Sequence, residues 1–369
     1  MKHYIKSIFA VLVLFFLGIQ CFSQEIVRNV PKGEEAWRYL LKAQNAFDSG
    51  NYSDVIVYAE KAKSSARQKA KWELYTLDNT FKKQKVRNAG DKIDDVLPVL
   101  KELELKDAVE IVERRVAQKG RKYFDGKFSK IIEKEDYFSQ CPEADFLIGK
   151  VYKIEGEFSL AGSYMEQAYA YWENLDVPEQ KYDILYELAF LFYDIGDDEK
   201  FESYLLLILK DNPYFTDAGF LKGLLRLPNK DSREAMENFF KLYRAEGAFS
   251  IKALSLLSEY YMKNGEIEKA MECAALGSLT VVTKIENTLM ERTHDYSYTS
   301  FARLLNDAAS FPDIIEWGNS NDAWKIIYNF GDISASMGKL IFAREIFSIL
   351  SSCHKDYYWG RRAAQRLIN

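Results

Sequence analysis

Small residues recur along this chain at fixed offsets, and that recurrence restricts the fold more than any other feature of the sequence. Gly149, Ala189, Gly223 and Ser258 each lie within an apolar pattern of helical period. Seven residues later stand Gly156, Gly196, Lys230 and Gly265, and five residues further Ala161, Phe201, Ala235 and Ala270. The turn positions are 40, 34 and 35 residues apart, which is the period of a repeated helix hairpin. The same spacing puts Ala43, Gly50 and Val55 near the start of the chain and Gly331, Gly338 and Ala343 near its end.

Two antiparallel helices joined by a short turn approach closely only where their side chains are small, so Gly149 is predicted to face Ala161. A glycine inside a helix costs roughly 0.5 to 1 kcal/mol relative to alanine, and close helix approach is the compensation expected at Gly149 and Gly223. The turn glycine, as in Lys153-Ile154-Glu155-Gly156-Glu157-Phe158, is expected to end the first helix by adopting positive φ. On the second helix of each pair, Ala161, Met165 and Ala168 recur at helical spacing, as do Phe201, Leu205 and Ile208. These stripes are predicted to face the next hairpin. Pro178 and Pro213 fall between the proposed helices rather than inside them.

The stretches Ala144 to Tyr171, Leu185 to Pro213 and Leu254 to Gly277 resemble tetratricopeptide repeats, with Leu185, Leu188, Ala189, Phe192, Gly196, Leu205 and Pro213 at that family's apolar, small, turn and terminating positions. Ala36-Trp37 through Ala62, with Gly50-Asn51-Tyr52 at its turn, resembles another. Phe201 and Val55 depart from the pattern where a small residue is typical, as does Lys230 where glycine is. The resemblance implies an all-α chain, an α-solenoid of stacked antiparallel hairpins wound into a superhelix, whose concave wall binds a peptide or a partner helix. The expected organisation is a signal peptide over 1–23, an N-terminal hairpin over 24–67 and irregular helical hairpins over 68–143. Regular repeats follow over 144–282, a degenerate repeat with an insertion over 283–322, and a last repeat with a capping helix over 323–369. Arg361, Arg362 and Arg366 are expected to keep that final helix soluble.

Lys2 and Lys6 precede an apolar run of about a dozen residues, Ile8 to Ile19, which is short of the roughly 20 needed to span a bilayer. This reads as a cleaved export signal ending near Ser23. Leu17-Gly18-Ile19-Gln20-Cys21 resembles a lipoprotein box, but Gln20 stands where a small residue is wanted, which argues against a lipid anchor at Cys21. Removing the signal shifts the formal net charge from -5 to about -7, which disfavours nucleic acid as a partner. The remaining cysteines, Cys141, Cys273 and Cys353, are odd in number and widely spaced, so no disulfide framework is expected. With 48% hydrophobic residues the chain can instead rely on apolar packing, and no later stretch is apolar enough to cross a membrane.

No phosphate-binding glycine loop, HExxH or CxxC motif, or nucleophile turn occurs, so no catalytic, cofactor-binding or metal-ligating residue is picked out. Cys353-His354 is read as a buried thiol beside an exposed imidazole, since helix neighbours point about 100° apart. His294-Asp295 is read as part of a plain surface loop. The basic stretch from Lys61, Lys63 and Arg67 to Arg87 is read as a solvated helix face. Tyr182, Tyr186, Tyr193, Tyr260 and Tyr261 are the candidates for a partner-binding groove. The expected function is a non-enzymatic scaffold or adaptor of the bacterial cell envelope, exported to the periplasm or associated with the outer membrane. Its narrower form is assembly of a periplasmic flagellar motor complex. The alternatives left open are an enzyme or ligand receptor with its site in the irregular segments, near Thr293 to Tyr298 or Cys353, and a self-assembling structural protein.

Overall fold

The structure is a computed structural model, and it describes residues 35–119, 137, 139–211, 248–354 and 357–368. The expected signal at 1–23 and the hairpin built on Gly223, Lys230 and Ala235 lie outside the described residues. Every described element is helical, and none of these helices is long and apolar enough to cross a membrane. The chain divides into two compact units, Met1–Ile184 and Leu185–Asn369.

In the first unit α1 (Ala36–Asp48) pairs with α2 (Tyr52–Phe81), and α6 (Pro142–Glu155) pairs with α7 (Phe158–Ala170). Between them lie the four-residue α3 (Gln84–Arg87), α4 (Ile93–Glu102) and α5 (Lys106–Lys119). Helix α2 is 30 residues long, about 45 Å at 1.5 Å per residue, and serves two cores. Its first half buries Val55, Ala59 and Ala62 against Ala43 of α1 and Ala144, Leu147 and Ile148 of α6. Its second half buries Ala70, Leu74 and Leu77 against Val96 and Leu100 of α4 and Ile111 of α5. The boundary expected between residues 67 and 68 therefore falls inside one continuous helix, because no proline, glycine or cap interrupts the apolar period there.

Buried ion pairs fix that long helix. The Glu73 carboxylate accepts from Arg114 at 2.5 Å and from Arg115 at 3.0 and 3.2 Å, tying α2 to α5. Lys63 reaches the enclosed Asp145 of α6 at 2.8 Å. The solvated-face reading of the basic stretch thus fails at Lys63, whose ammonium is spent on a neighbouring helix. Burial outweighs that ammonium at Asp145 and pushes its carboxyl above the usual range.

The second unit begins within α8 (Gln180–Ile195) and continues through α9 (Asp198–Lys210), α10 (Ile251–Lys263) and α11 (Ile267–Arg292). Then come α12 (Phe301–Ala309), α13 (Pro312–Ser320), α14 (Ala323–Ser336), α15 (Leu340–Cys353) and α16 (Tyr358–Ile368). Helix α10 packs on α11, both pack on α14, and α15 packs on α14 and α16. The boundary expected between 282 and 283 lies inside α11, which runs unbroken for 26 residues.

Five turns share one geometry. Gly50, Gly156, Gly196, Gly265 and Gly338 have φ between 74° and 84°. After each, the next amide donates to a carbonyl five residues back: Asn51 to Ala46, Glu157 to Tyr152, Asp197 to Phe192, Glu266 to Tyr261 and Lys339 to Ser334. That is the helix-ending motif in which a left-handed residue lets orphan carbonyls find donors.

The helix contacts above these turns differ from simple small-on-small packing. A Cβ on Gly149 would lie 3.2 Å from the Ala161 carbonyl oxygen and 2.7 Å from Cγ of Met165. One on Gly331 would lie 2.8 Å from the Phe347 ring and 3.2 Å from Ile346. In both hairpins the glycine is a hole for a large side chain one turn beyond the expected small residue, Ala161 or Ala343. Ala43, Ala189, Ser258 and Ala270 are fully buried in their respective helices. The Ser258 hydroxyl serves α14, accepting from the Asn329 amide at 3.1 Å.

Candidate partner groove

Helices α8, α9 and α10 enclose a groove with a cavity of about 460 Å³. Its aromatic wall comes from all three. Tyr193 lies 5.2 Å from Phe201 between ring centroids, and Phe201 meets Tyr260 edge-on at 5.5 Å. Phe201 stands where the repeat pattern wants a small residue, and its ring links the two tyrosines into one surface. Phe201 is buried and Tyr193 is half exposed, so the wall runs from the core to solvent. Phe190 lines the groove as well, with the Lys252 ammonium 5.2 Å from its ring centroid.

The charged rim is mostly acidic. Asp194 lies in the last turn of α8 and Asp198 starts α9, and Glu259 and Lys263 are contributed by α10. The neighbouring Asp197, not Asp198, caps α9 by accepting from the Lys200 amide at 3.0 Å. Glu259 is held by Lys325 at 3.0 Å. Asp194, Asp198 and Lys263 have no ion-pair partner among the described residues. Burial, reinforced by the carboxylates of Glu202 and Asp198, pushes the Tyr260 hydroxyl above its usual range.

The five candidate tyrosines have different fates. Tyr193 and Tyr260 come together in the groove. Tyr186 does not line it: its hydroxyl donates to the Phe249 carbonyl at 2.8 Å and accepts from the Ala253 amide at 2.9 Å, fastening α8 to the start of α10. Tyr261 is buried, with its hydroxyl donating to Glu202 at 2.6 Å. Tyr182 belongs to the first unit, where the Lys181 ammonium lies 4.9 Å from its ring. Spacing alone cannot separate these roles, because each depends on what a distant helix presents. Asp194 and Asp198, which join the two tyrosines at the groove, were not singled out by the sequence pattern.

The cysteine and histidine candidates are also relocated. His354 is buried rather than exposed, its ring tilted by 34° against Trp324 with centroids 4.1 Å apart, and neither ring nitrogen has a hydrogen-bond partner among the described residues. Burial lowers its pKa to about 4. Cys353 is the half-buried member, 3.2 Å from the Asn306 side chain, so thiol and imidazole serve different neighbours. Burial raises the thiols of Cys141 and Cys273 to about 12. His294 and Asp295 are exposed at a turn after α11. No lining residue of the groove comes from Thr293–Tyr298 or the Cys353 region. At the C-terminal end, Arg366 pairs with Asp332, and the Arg362 guanidinium lies 5.4 Å from the Tyr328 ring centroid. Both arginines thus pack α16 down as well as meeting water.

No family model matches the chain. It is similar to an uncharacterized protein of Treponema pallidum (strain Nichols), 26% identical over 340 residues, which covers 91% of this chain and 90% of the relative. With coverage that wide, the likeness runs through both units and is not confined to one hairpin.

Proposed function

We propose that the protein is a non-enzymatic adaptor that holds a partner polypeptide against its helix hairpins, with the groove of α8, α9 and α10 as the contact. The observation that carries this reading is the open aromatic wall of Tyr193 and Tyr260 bordered by Asp194 and Asp198, which have no ion-pair partner among the described residues. Exposed aromatic rings beside polar groups supply contact area and orientation at low entropic cost, as partner sites require. In this reading the hairpins form a tetratricopeptide-like solenoid. It works in the periplasm or at the outer membrane as an envelope scaffold, and assembly of a periplasmic flagellar motor complex is the narrower form.

The test is a photoreactive phenylalanine analogue placed at Tyr193, or at Tyr260, in the full chain made in its own cells. Irradiation should give a discrete adduct with a second polypeptide that is absent when the analogue replaces the exposed Glu268. An adduct made only of two copies of this chain would replace the adaptor reading with self-assembly. Labelling no stronger than at Glu268 would remove the groove from consideration.

A further inference from the structure

We infer that the groove receives one arginine side chain of the partner polypeptide. This rests on the adaptor reading above and specifies the chemistry of its ligand. The charge balance comes first. Lys325 lies between Glu259 and Asp322, with Lys252 over Phe190 on the same side, so among the described lining residues Lys263 is the one ammonium left for the carboxylates of Asp194 and Asp198. One further positive charge completes the set.

The walls then select among cations. The Tyr193, Phe201 and Tyr260 rings form a continuous aromatic surface beside those carboxylates. A guanidinium is planar, so it can lie on a ring face while its edge donates to carboxylate oxygens; an ammonium is a compact, strongly hydrated charge that does one of these at a time. The chain already uses the first half of this chemistry nearby: the Lys200 ammonium lies 4.2 Å from the Phe192 ring centroid, and Lys252 lies over Phe190. Tyr193 and Tyr260 have no cation over them among the described residues. A cavity of about 460 Å³ has room for an arginine side chain together with apolar neighbours of an extended segment. An acidic segment is excluded by the same carboxylates, and a purely apolar one would leave Asp194 and Asp198 desolvated without a partner.

The experiment pans a phage-displayed library of random dodecapeptides on the purified full chain and measures the recovered sequences as synthetic peptides. The recovered peptides should share an arginine. Replacing it with citrulline, which keeps the shape and removes the charge, should weaken binding roughly tenfold or more, and lysine should recover only part of the loss. The double substitution Asp194→Asn and Asp198→Asn, checked for unchanged helicity, should cost the arginine peptides a similar factor and leave citrulline peptides unaffected. Recovery of peptides without arginine, or equal binding of arginine and citrulline forms, would overturn the inference. If such peptides nonetheless crosslink to the analogue at position 193, the adaptor reading survives without it. If no peptide is enriched over an unrelated helical protein and none crosslinks at 193, both fall.

Discussion

Charged side chains are buried with their partners in the first unit: Glu73 lies between Arg114 and Arg115, and Asp145 lies against Lys63. The second unit is joined by rings and hydroxyls instead, including Tyr186 bridging two backbone groups, Tyr261 on Glu202, and Asn329 on Ser258. None of its ion pairs among the described residues has a carboxylate as enclosed as Glu73 or Asp145. Among the described residues it also keeps the imidazole of His354 and the Ser255 hydroxyl buried without a hydrogen-bond partner, and the exposed carboxylates of Asp194 and Asp198 without an ion-pair partner. A carboxylate enclosed against a neighbouring helix, as Glu73 and Asp145 are, is not open to a ligand. Under the proposed function, the second unit, with open carboxylates beside exposed rings, is where a partner would bind.

Breaking the first unit's charge network should have the largest effect. Glu73→Gln leaves two arginines facing a neutral amide, and removing one partner of a buried ion network costs about 3 to 5 kcal/mol. Guanidinium denaturation should show the loss, and hydrogen exchange should assign it to α2 and α5 while α14 keeps its protection. Equal deprotection of α14 would contradict the division into separately held units.

Acid should separate the two next. His354 has its pKa lowered to about 4 by burial, against about 6.5 in an unfolded chain. The unfolded state therefore binds the proton first as pH falls. Stability from the neutral imidazole is complete above the unfolded value and is lost between about pH 6.5 and pH 4, amounting to about 3 kcal/mol. Asp145 has the opposite sign. Its folded carboxyl is raised, so the folded state takes up a proton first and the first unit gains relative stability as pH drops. Hydrogen exchange across this range should show the helices around Trp324 opening before α6. His354→Phe should flatten the dependence, and an unchanged acid profile in that variant would refute the assignment.

Packing holes offer a smaller and more even comparison. Gly149→Ala in the first unit would bring a methyl group to 2.7 Å from Met165, and Gly277→Ala in the second would bring one to 2.6 Å from Ile326. Each should lower stability by about 1 to 2 kcal/mol despite alanine's better helix propensity, because overpacking exceeds that gain. A raised thermal midpoint at either site would deny the close helix approach. The smallest effect belongs to the groove. Asp194→Asn with Asp198→Asn should change stability by no more than about 0.5 kcal/mol, since neither carboxylate has a structural partner among the described residues. A larger loss would make these residues structural and weaken the case for a binding site.

Much of the local architecture was legible because it depends on neighbours in sequence. Gly50, Gly156, Gly196, Gly265 and Gly338 stand where left-handed backbone is needed, and a missing Cβ marks such positions in the sequence itself. Gly277 was visible only as the end of a repeat; its value lies in admitting Ile326 of α14 and Leu254 of α10 at once, which spacing along α11 cannot reveal. The same limit explains Cys353 and His354, adjacent residues whose burial is set by Trp324 and Asn306.

The sequence by itself determined the helices, their glycine turns and the pairing of neighbouring helices, because 3.6-residue periodicity and backbone sterics act over a few residues. Only the tertiary structure decided which tyrosines were consumed by structure and which met in a groove, and which buried charges were matched. Those outcomes depend on side chains dozens of residues apart sharing one low-dielectric space, where a partner's presence or absence sets the free energy.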